Sequence, residues 1–204
     1  MRHGMGAIGL AVVLLVGAWA MGSEYPQWRG ADRDGKSAET GLLKEWPEGG
    51  PKGLWSVEGL GKGYGTVAVA GGTVYVTGLT GRTGTLFAYD LDGKLKWKKD
   101  YGSEWSKSGR MSFPGSRTTP TVHDGLVYVH SGMGQLACFD AKSGKKKWAV
   151  NTLQQYKGRN INWGISESVL IDGDNAICQP GGPDAAVVAV NKKTGKTVWT
   201  SKGL

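Results

Sequence analysis

The sequence predicts an all-β protein, a partial β-propeller of about three four-stranded blades, and three observations support this. A similar pattern ends in a tryptophan about every fifty residues, at Trp97, Trp148 and Trp199, and that period is typical of a propeller blade. Gly accounts for 35 of the 204 residues, which favours many tight turns between short strands. Apolar residues fill segments such as 126–129 without alternation, so both faces of each sheet are predicted to be covered.

Each predicted blade has four strands joined by turns that contain glycine. The first hairpins are predicted at Gly71-Gly72, Asp124-Gly125 and Asp172-Gly173, because two-residue hairpins require residues that tolerate positive φ. The third strands end in Asp90, Asp140 and Asn191. Such side chains accept hydrogen bonds from turn amides, and a Gly-Lys pair then leads into the fourth strand.

The domain boundaries follow from these patterns. Residues 1–22 are predicted to be a signal peptide, 23–53 an N-terminal lead-in segment, and 54–204 the repeats, with blades at about 64–99, 117–150 and 165–200. The tryptophan on each fourth strand offers a flat ring to the next blade and an indole N–H to a backbone carbonyl. Purely structural docking roles are therefore predicted for Trp97, Trp148, Trp199, Asp90, Asp140, Gly144 and Gly195.

The repeated string Ala-x-Asp-x-x-(Thr/Ser)-Gly-Lys-x-x-Trp resembles the tryptophan-docking motif of the pyrroloquinoline-quinone (PQQ) repeat propellers. Residues 54–200 match it three times, although the copy at Asp90 is one residue short and the third copy has Asn191 in place of the aspartate. Residues 25–55 resemble the lead-in segment of BamB-like members. Since complete rings of seven or eight blades need ~350 to 400 residues, the resemblance implies a truncated propeller whose open blade faces favour self-association.

The N-terminus is typical of an export signal. A short positive start precedes an apolar run over 7–16 and two small-x-small cleavage sequences at 18–22, as in cleavable signal peptides. The apolar run is shorter than the ~20 residues that a spanning helix requires. We expect a periplasmic or secreted protein with no stable membrane span after signal cleavage, and the alternative is an uncleaved anchor.

Charge and residue counts argue against several other classes of function. The net charge is +8, but the lysines cluster in hairpin turns, so no nucleic-acid partner is expected. The chain has three histidines, at scattered positions, and no metal site is predicted from them. Export permits a disulfide between Cys138 and Cys178, although two buried free thiols are the favoured interpretation.

Two long loops, 105–118 and 156–166, precede innermost strands at one end of the predicted propeller. Long loops on a rigid scaffold often carry function. The candidate ligand- or partner-binding residues are Arg117, Arg159, Asn162 and Trp163, with Glu167 just inside the following strand. The alternative is structural, with Trp163 packing and Arg117 pairing with a neighbouring blade.

The sequence favours an exported, non-catalytic scaffold that binds a protein or a cell-envelope component and needs no cofactor. The alternative is a fragment of a PQQ-dependent alcohol or sugar dehydrogenase. That resemblance implies PQQ, calcium and an adjacent-cysteine disulfide, and this chain has no Cys-Cys pair. Its local candidates for oxygen ligands of calcium are Asn160, Asn162 and Glu167.

Overall fold

In a computed structural model, which describes residues 24–109 and 112–202, the chain forms three four-stranded antiparallel sheets. This confirms the predicted all-β fold class. Blade 1 contains β1 (Ala68–Ala70), β2 (Thr73–Thr80), β3 (Thr83–Asp90) and β4 (Leu95–Ser103). Blade 2 contains β5 (Thr121–His123), β6 (Leu126–His130), β7 (Gln135–Asp140) and β8 (Lys146–Asn151). Blade 3 contains β9 (Leu170–Asp172), β10 (Asn175–Cys178), β11 (Val188–Asn191) and β12 (Thr197–Thr200).

Each sheet follows chain order from its first strand to its fourth, and the first strands β1, β5 and β9 contact one another in sequence. The lead-in segment runs along this inner side, where Tyr25 forms a bridge with Val69 and Pro26 O accepts from Val122 N at 2.8 Å. The predicted signal peptide, 1–22, lies outside the described residues. Within 24–109 and 112–202 the structure has one short helix, α1 (Thr152–Gln155), which follows β8 and was not expected from the sequence.

The hydrophobic core lies between blades, as expected for strands that are apolar on both faces. The cluster between blades 1 and 2 includes Tyr75, Leu86, Trp97, Val129 and Phe139. The cluster between blades 2 and 3 includes Tyr128, Leu136, Trp148, Val188 and Val190. Cys138 and Cys178 also belong to the second cluster as buried free thiols, and burial raises the pKa of each thiol to about 12.

A tryptophan from one blade rests on a glycine of the next. Nε1 of Trp97 donates to Ala141 O at 3.1 Å, and a Cβ added at Gly144 would lie 2.7 Å from Cδ2 of that indole. The Trp55 indole is arranged in the same way over Gly93, and Trp148 over Gly195. We call Gly93, Gly144 and Gly195 the docking glycines. Only a residue without a side chain leaves room for the ring, which explains why glycine stands at this position in all three copies.

The turn that presents each docking glycine is held by the residue that ends the third strand. Asp140 Oδ1 accepts from Ser143 Oγ at 2.7 Å and from Ser143 N at 2.9 Å. Asp90 Oδ1 accepts from two turn amides. Asn191 Oδ1 accepts from the amides of the equivalent turn in blade 3, so the amide side chain supplies the same acceptor as the two carboxylates.

The structure differs from the sequence-based expectations in two places. Trp199, expected to pack like the other indoles, is 41% exposed, whereas Trp97 and Trp148 are each 9% exposed. Among the described residues, no glycine lies against the Trp199 ring as Gly144 and Gly195 lie against the other two. The first hairpin of blade 3 is centred one residue later than expected, at Gly173-Asp174, since Asp172 pairs with Asn175.

Candidate functional site

The stretches that lead into the three innermost strands lie side by side. Tyr64 N donates to Ser116 O at 2.6 Å, and the hydroxyl groups of Thr66 and Thr119 are 2.8 Å apart. Thr119 N donates to Ser168 Oγ at 3.0 Å. These hydrogen bonds run from blade 1 to blade 2 to blade 3, and they fix one end of the propeller arc as a single surface.

The lead-in segment closes one side of this surface. Arg33 reaches across it: Nη2 donates to Val169 O at 2.7 Å, and Nε donates to Gln27 Oε1 at 3.0 Å. Burial lowers the pKa of Arg33. The neighbouring Trp28 remains 49% exposed, with the guanidinium of Arg29 5.3 Å from its ring.

A cleft of about 320 Å³ lies between these elements. We call it the mouth cleft. Its lining includes Trp28, Arg33, Tyr64, Arg117, Glu167 and Ser168. Of the five binding candidates named from the sequence, the structure brings Arg117 and Glu167 together here.

Arg117 is held in place from two sides. Its guanidinium carbon lies 5.5 Å from the centre of the Tyr64 ring, and Nη2 donates to Phe113 O. The Nε atom is buried and has no hydrogen-bond partner among the described residues. An arginine fixed over an aromatic ring offers its remaining N–H donors in a defined direction, which suits a planar anionic or carbonyl-bearing group.

Glu167 also lines the mouth cleft and is half-buried. The carboxylate comes three residues before β9 begins, not inside the strand as expected from the sequence. Its Oε1 accepts from Gln179 N at 2.7 Å. Nδ1 of the buried His130 lies 3.2 Å from the same oxygen, without the alignment of a hydrogen bond. The mouth cleft therefore carries both signs of charge together with two exposed aromatic rings.

Sequence reasoning missed a buried carboxylate that does not itself line the mouth cleft. Glu104 is 2% exposed. Its Oε2 accepts from the Tyr101 hydroxyl at 2.7 Å, and its Oε1 accepts from Trp105 N and Gly132 N. Burial raises the pKa of Glu104, although these hydrogen bonds partly oppose the shift. The residue ties the end of blade 1 to the β6–β7 turn of blade 2.

The loops around the mouth cleft are held by a further indole. Trp105 is 1% exposed, and a Cβ added at Gly164 would lie 2.8 Å from Cδ2 of its ring. The indole Nε1 donates to Ser112 Oγ at 3.0 Å. The contact between Trp105 and Gly164 lies outside the fifty-residue period, so the repeat pattern does not predict it.

The other three binding candidates lie on the exposed loop before β9 and do not line the mouth cleft. Arg159 is held through its backbone, which donates to Pro180 O at 3.1 Å, and its side chain is exposed. Asn162 is exposed, and Trp163 is 50% exposed. Two of the five candidates therefore line the mouth cleft and three do not, and the binding roles of all five stay predictions.

The residues proposed as calcium ligands do not converge. Glu167 lines the mouth cleft, but neither Asn160 nor Asn162 does. Asn160 instead donates from Nδ2 to Gly132 O at 2.7 Å, and its buried Oδ1 has no partner among the described residues. Calcium requires six to eight oxygen ligands around one point, and this donor set does not fit it. Within 24–109 and 112–202, no three His, Cys, Asp or Glu side chains group closely enough to hold a metal ion.

Comparison with known proteins decides the family. The family model described as outer membrane protein assembly factor BamB matches residues 43–202. The chain belongs to the BamB family. This agrees with the BamB-like resemblance seen in the repeats and the lead-in segment.

Relatives with two different named functions match this chain at similar identity. The chain is 33% identical to quinoprotein ethanol dehydrogenase of Pseudomonas aeruginosa over 52% of its own length and 16% of that protein. It is 31% identical to outer membrane protein assembly factor BamB of Burkholderia pseudomallei over 57% of its length and 26% of that protein. The chain thus spans about a sixth to a quarter of the length of these relatives.

Solved structures show the same fold at lower identity. BamB from Moraxella catarrhalis is similar with a TM-score of 0.51 and 23% identity, covering 74% of this chain and 43% of that one. A europium-containing methanol dehydrogenase gives a TM-score of 0.52 and 21% identity, covering 71% of this chain and 25% of that one. Among the described residues, no helix is both long and apolar enough to span a membrane.

Proposed function

We propose that this protein is an exported, non-catalytic scaffold that binds a protein or a cell-envelope component at the mouth cleft. The observation that carries the proposal is that Arg117 and Glu167 line one cleft, which also exposes Trp28 and Tyr64. Arginine and large aromatic residues are the side chains most often found as binding anchors. Export itself rests on the sequence pattern of residues 1–22.

The scaffold role is supported by the way the cleft is built. Hydrogen bonds between the three blades fix its floor, and buried Glu104 and Trp105 hold the surrounding loops. A rigid surface loses little conformational entropy when it binds, so preorganisation favours affinity. The family match to outer membrane protein assembly factor BamB supports a partner in the cell envelope.

Site-specific crosslinking tests this proposal. A photoreactive amino acid in place of Tyr64 in the mouth cleft, and in place of exposed Trp163 outside it, gives two matched probes. With envelope extract, we expect a discrete crosslinked product from position 64 that disappears when Arg117→Ala is added. Arg159→Ala is the matched control and leaves the product unchanged. Equal crosslinking from both positions, or a product insensitive to Arg117→Ala, would contradict binding at the mouth cleft.

A second candidate function is that of a fragment of a PQQ-dependent dehydrogenase, which the similarity to quinoprotein ethanol dehydrogenase favours. One assay distinguishes the scaffold from the dehydrogenase fragment. Purified protein is titrated with PQQ and calcium, and dye reduction is then measured with alcohols or aldoses as substrates. Saturable quinone binding with turnover would replace the scaffold proposal. Because the proposed calcium ligands do not converge, we expect neither saturable quinone binding nor turnover.

A further inference from the structure

His130 is a buried histidine whose two ring nitrogens have different surroundings. The residue ends β6, and its side chain is 0% exposed. Nε2 lies 3.1 Å from the Thr152 hydroxyl oxygen, and that hydroxyl donates its single hydrogen to Gly134 O at 3.0 Å. The hydroxyl oxygen must then be the acceptor in its contact with the ring, so the network assigns a hydrogen to Nε2.

The other ring nitrogen, Nδ1, has no hydrogen-bond partner among the described residues. A neutral imidazole carries one N–H hydrogen. Because Nε2 holds that hydrogen, Nδ1 of neutral His130 is a bare acceptor, and Glu167 Oε1 lies 3.2 Å from it. Two acceptors at this separation repel each other, whereas a proton on Nδ1 turns the contact into a charge-assisted attraction.

The charged groups around the His130 ring are two carboxylates. Glu167 precedes β9, and the buried Glu104, which follows β4, also interacts electrostatically with the ring. From α1 the ring meets only the neutral Thr152 hydroxyl, and Cys178 of β10, which interacts with Glu167, is a thiol whose pKa is raised by burial to about 12. Within the part of the chain that the structure describes, neither carboxylate forms a salt bridge with a lysine or an arginine. A protonated His130 would therefore be their compensating charge.

This contact reaches the mouth cleft because Glu167 belongs to both. Of the described residues that line the cleft, the charged ones are Arg33, Arg117 and Glu167. When Glu167 is compensated from behind by an imidazolium, the two guanidinium groups leave the cleft positive. When His130 is neutral, the carboxylate charge is uncompensated and opposes that of the arginines.

We propose that His130 is a positioning residue that sets the charge of the mouth cleft through Glu167. A proton taken from solvent onto Nδ1 holds and compensates the Glu167 carboxylate, so the cleft binds an anionic group of its partner more tightly. Loss of that proton weakens binding of the same group. The role of the cleft in holding a partner rests on the proposed function, whereas the link between His130 and the cleft does not.

Nuclear magnetic resonance of protein labelled with ¹⁵N at histidine and arginine tests the link without any partner. The Arg117 Nε–H group is a reporter within the cleft, since it is buried and has no hydrogen-bond partner among the described residues. Between about pH 8 and about pH 5, the range in which histidines change charge, we expect His130 to gain a proton on Nδ1. The Arg117 signal should shift with the same midpoint. The more exposed His123 is an internal control whose titration should leave Arg117 unmoved.

Glu167→Gln separates charge from structure, because its amide oxygen can still accept from Gln179 N, as the carboxylate does. We expect this variant to lower the midpoint of the His130 titration by roughly one pH unit or more, the effect of removing one neighbouring opposite charge. The response of Arg117 should disappear. Asp184→Asn is the matched control, since Asp184 is exposed and does not line the cleft, and it should leave both titrations unchanged.

Sulfate, whose charge is constant over this range, is the anionic probe for the cleft. Its dissociation constant is measured from the Arg117 Nε–H shift. In the wild type, sulfate should bind at about pH 5 at least about fivefold more tightly than at about pH 8, the lower end of couplings between linked sites. In Glu167→Gln the two constants should agree. A His130 that stays neutral throughout, an Arg117 signal that ignores the His130 titration, or the same pH dependence of sulfate binding in both proteins would each overturn the proposal. The crosslinking test of the mouth cleft involves no change of pH, so the proposed function and this inference can fail separately.

Discussion

Gly144→Ala tests most sharply how the blades are joined. Gly144 has φ +67, and a Cβ there would lie 2.7 Å from Cδ2 of Trp97. A left-handed conformation costs an alanine about 1–2 kcal/mol. Forcing the indole to shift in a packed core costs about 1–3 kcal/mol more. The free energy of unfolding is therefore expected to fall by about 2–5 kcal/mol.

Gly125→Ala isolates the contribution of the ring contact. Gly125 lies in the same blade at φ +70, but nothing lies within 4 Å of its added Cβ, so only the backbone strain remains. Urea unfolding followed by tryptophan fluorescence gives the midpoint and slope for both variants. Gly144→Ala should be the less stable by about 1–3 kcal/mol. Equal stability of the two variants would refute the docking argument.

Three further predictions concern single ionisable groups. A hydrogen bond from the Ser143 hydroxyl holds the pKa of Asp140 below its usual value. The ionised Asp140 carboxylate therefore stabilises the fold above the unfolded-state pKa, and this stabilisation is lost as pH falls through the folded-state pKa. Asp140→Asn should keep the turn, as Asn191 does, and should flatten the acid limb of the stability-versus-pH curve. Burial raises the pKa of Glu104, so wild-type stability falls as pH rises from the unfolded-state pKa towards the folded-state pKa. Glu104→Gln carries no charge and should therefore gain stability relative to wild type as pH rises above the unfolded-state pKa in denaturant titrations. Burial raises the pKa of both cysteine thiols to about 12, so a thiol reagent at about pH 8 should label neither cysteine in the native protein and both after unfolding.

The sequence was sufficient to predict the blades because the signals for them are local. A fifty-residue period, apolar strands and glycine turns each depend on neighbouring residues, and together they predict four-stranded sheets. The turn that carries Asp140 could be anticipated because this side-chain acceptor stands four residues before Gly144, a glycine with positive φ. The Gly173-Asp174 turn was missed by one residue, since either register satisfies the same turn chemistry.

The site was only partly predictable because long-range packing creates it. Arg33 lines the mouth cleft because its guanidinium donates a hydrogen bond to Val169 O, which is 136 residues away in sequence. Glu104 is buried and accepts a hydrogen bond from Gly132 N in the blade 2 turn. No local sequence pattern predicts this burial. Loop length correctly identified the end of the arc that holds Arg117 and Glu167. Loop length alone could not tell that Trp163 does not line the cleft.

Hydrogen exchange of the indole N–H groups tests most directly whether the blades interlock through tryptophan. In nuclear magnetic resonance spectra of indole-labelled protein, Trp97 and Trp148 should exchange slowly, because each donates to a backbone carbonyl at the interface between blades. Trp46, which is 71% exposed, should exchange at the rate of a free indole. If Trp97 and Trp148 exchanged as fast as Trp46, the blades would not be joined by these rings.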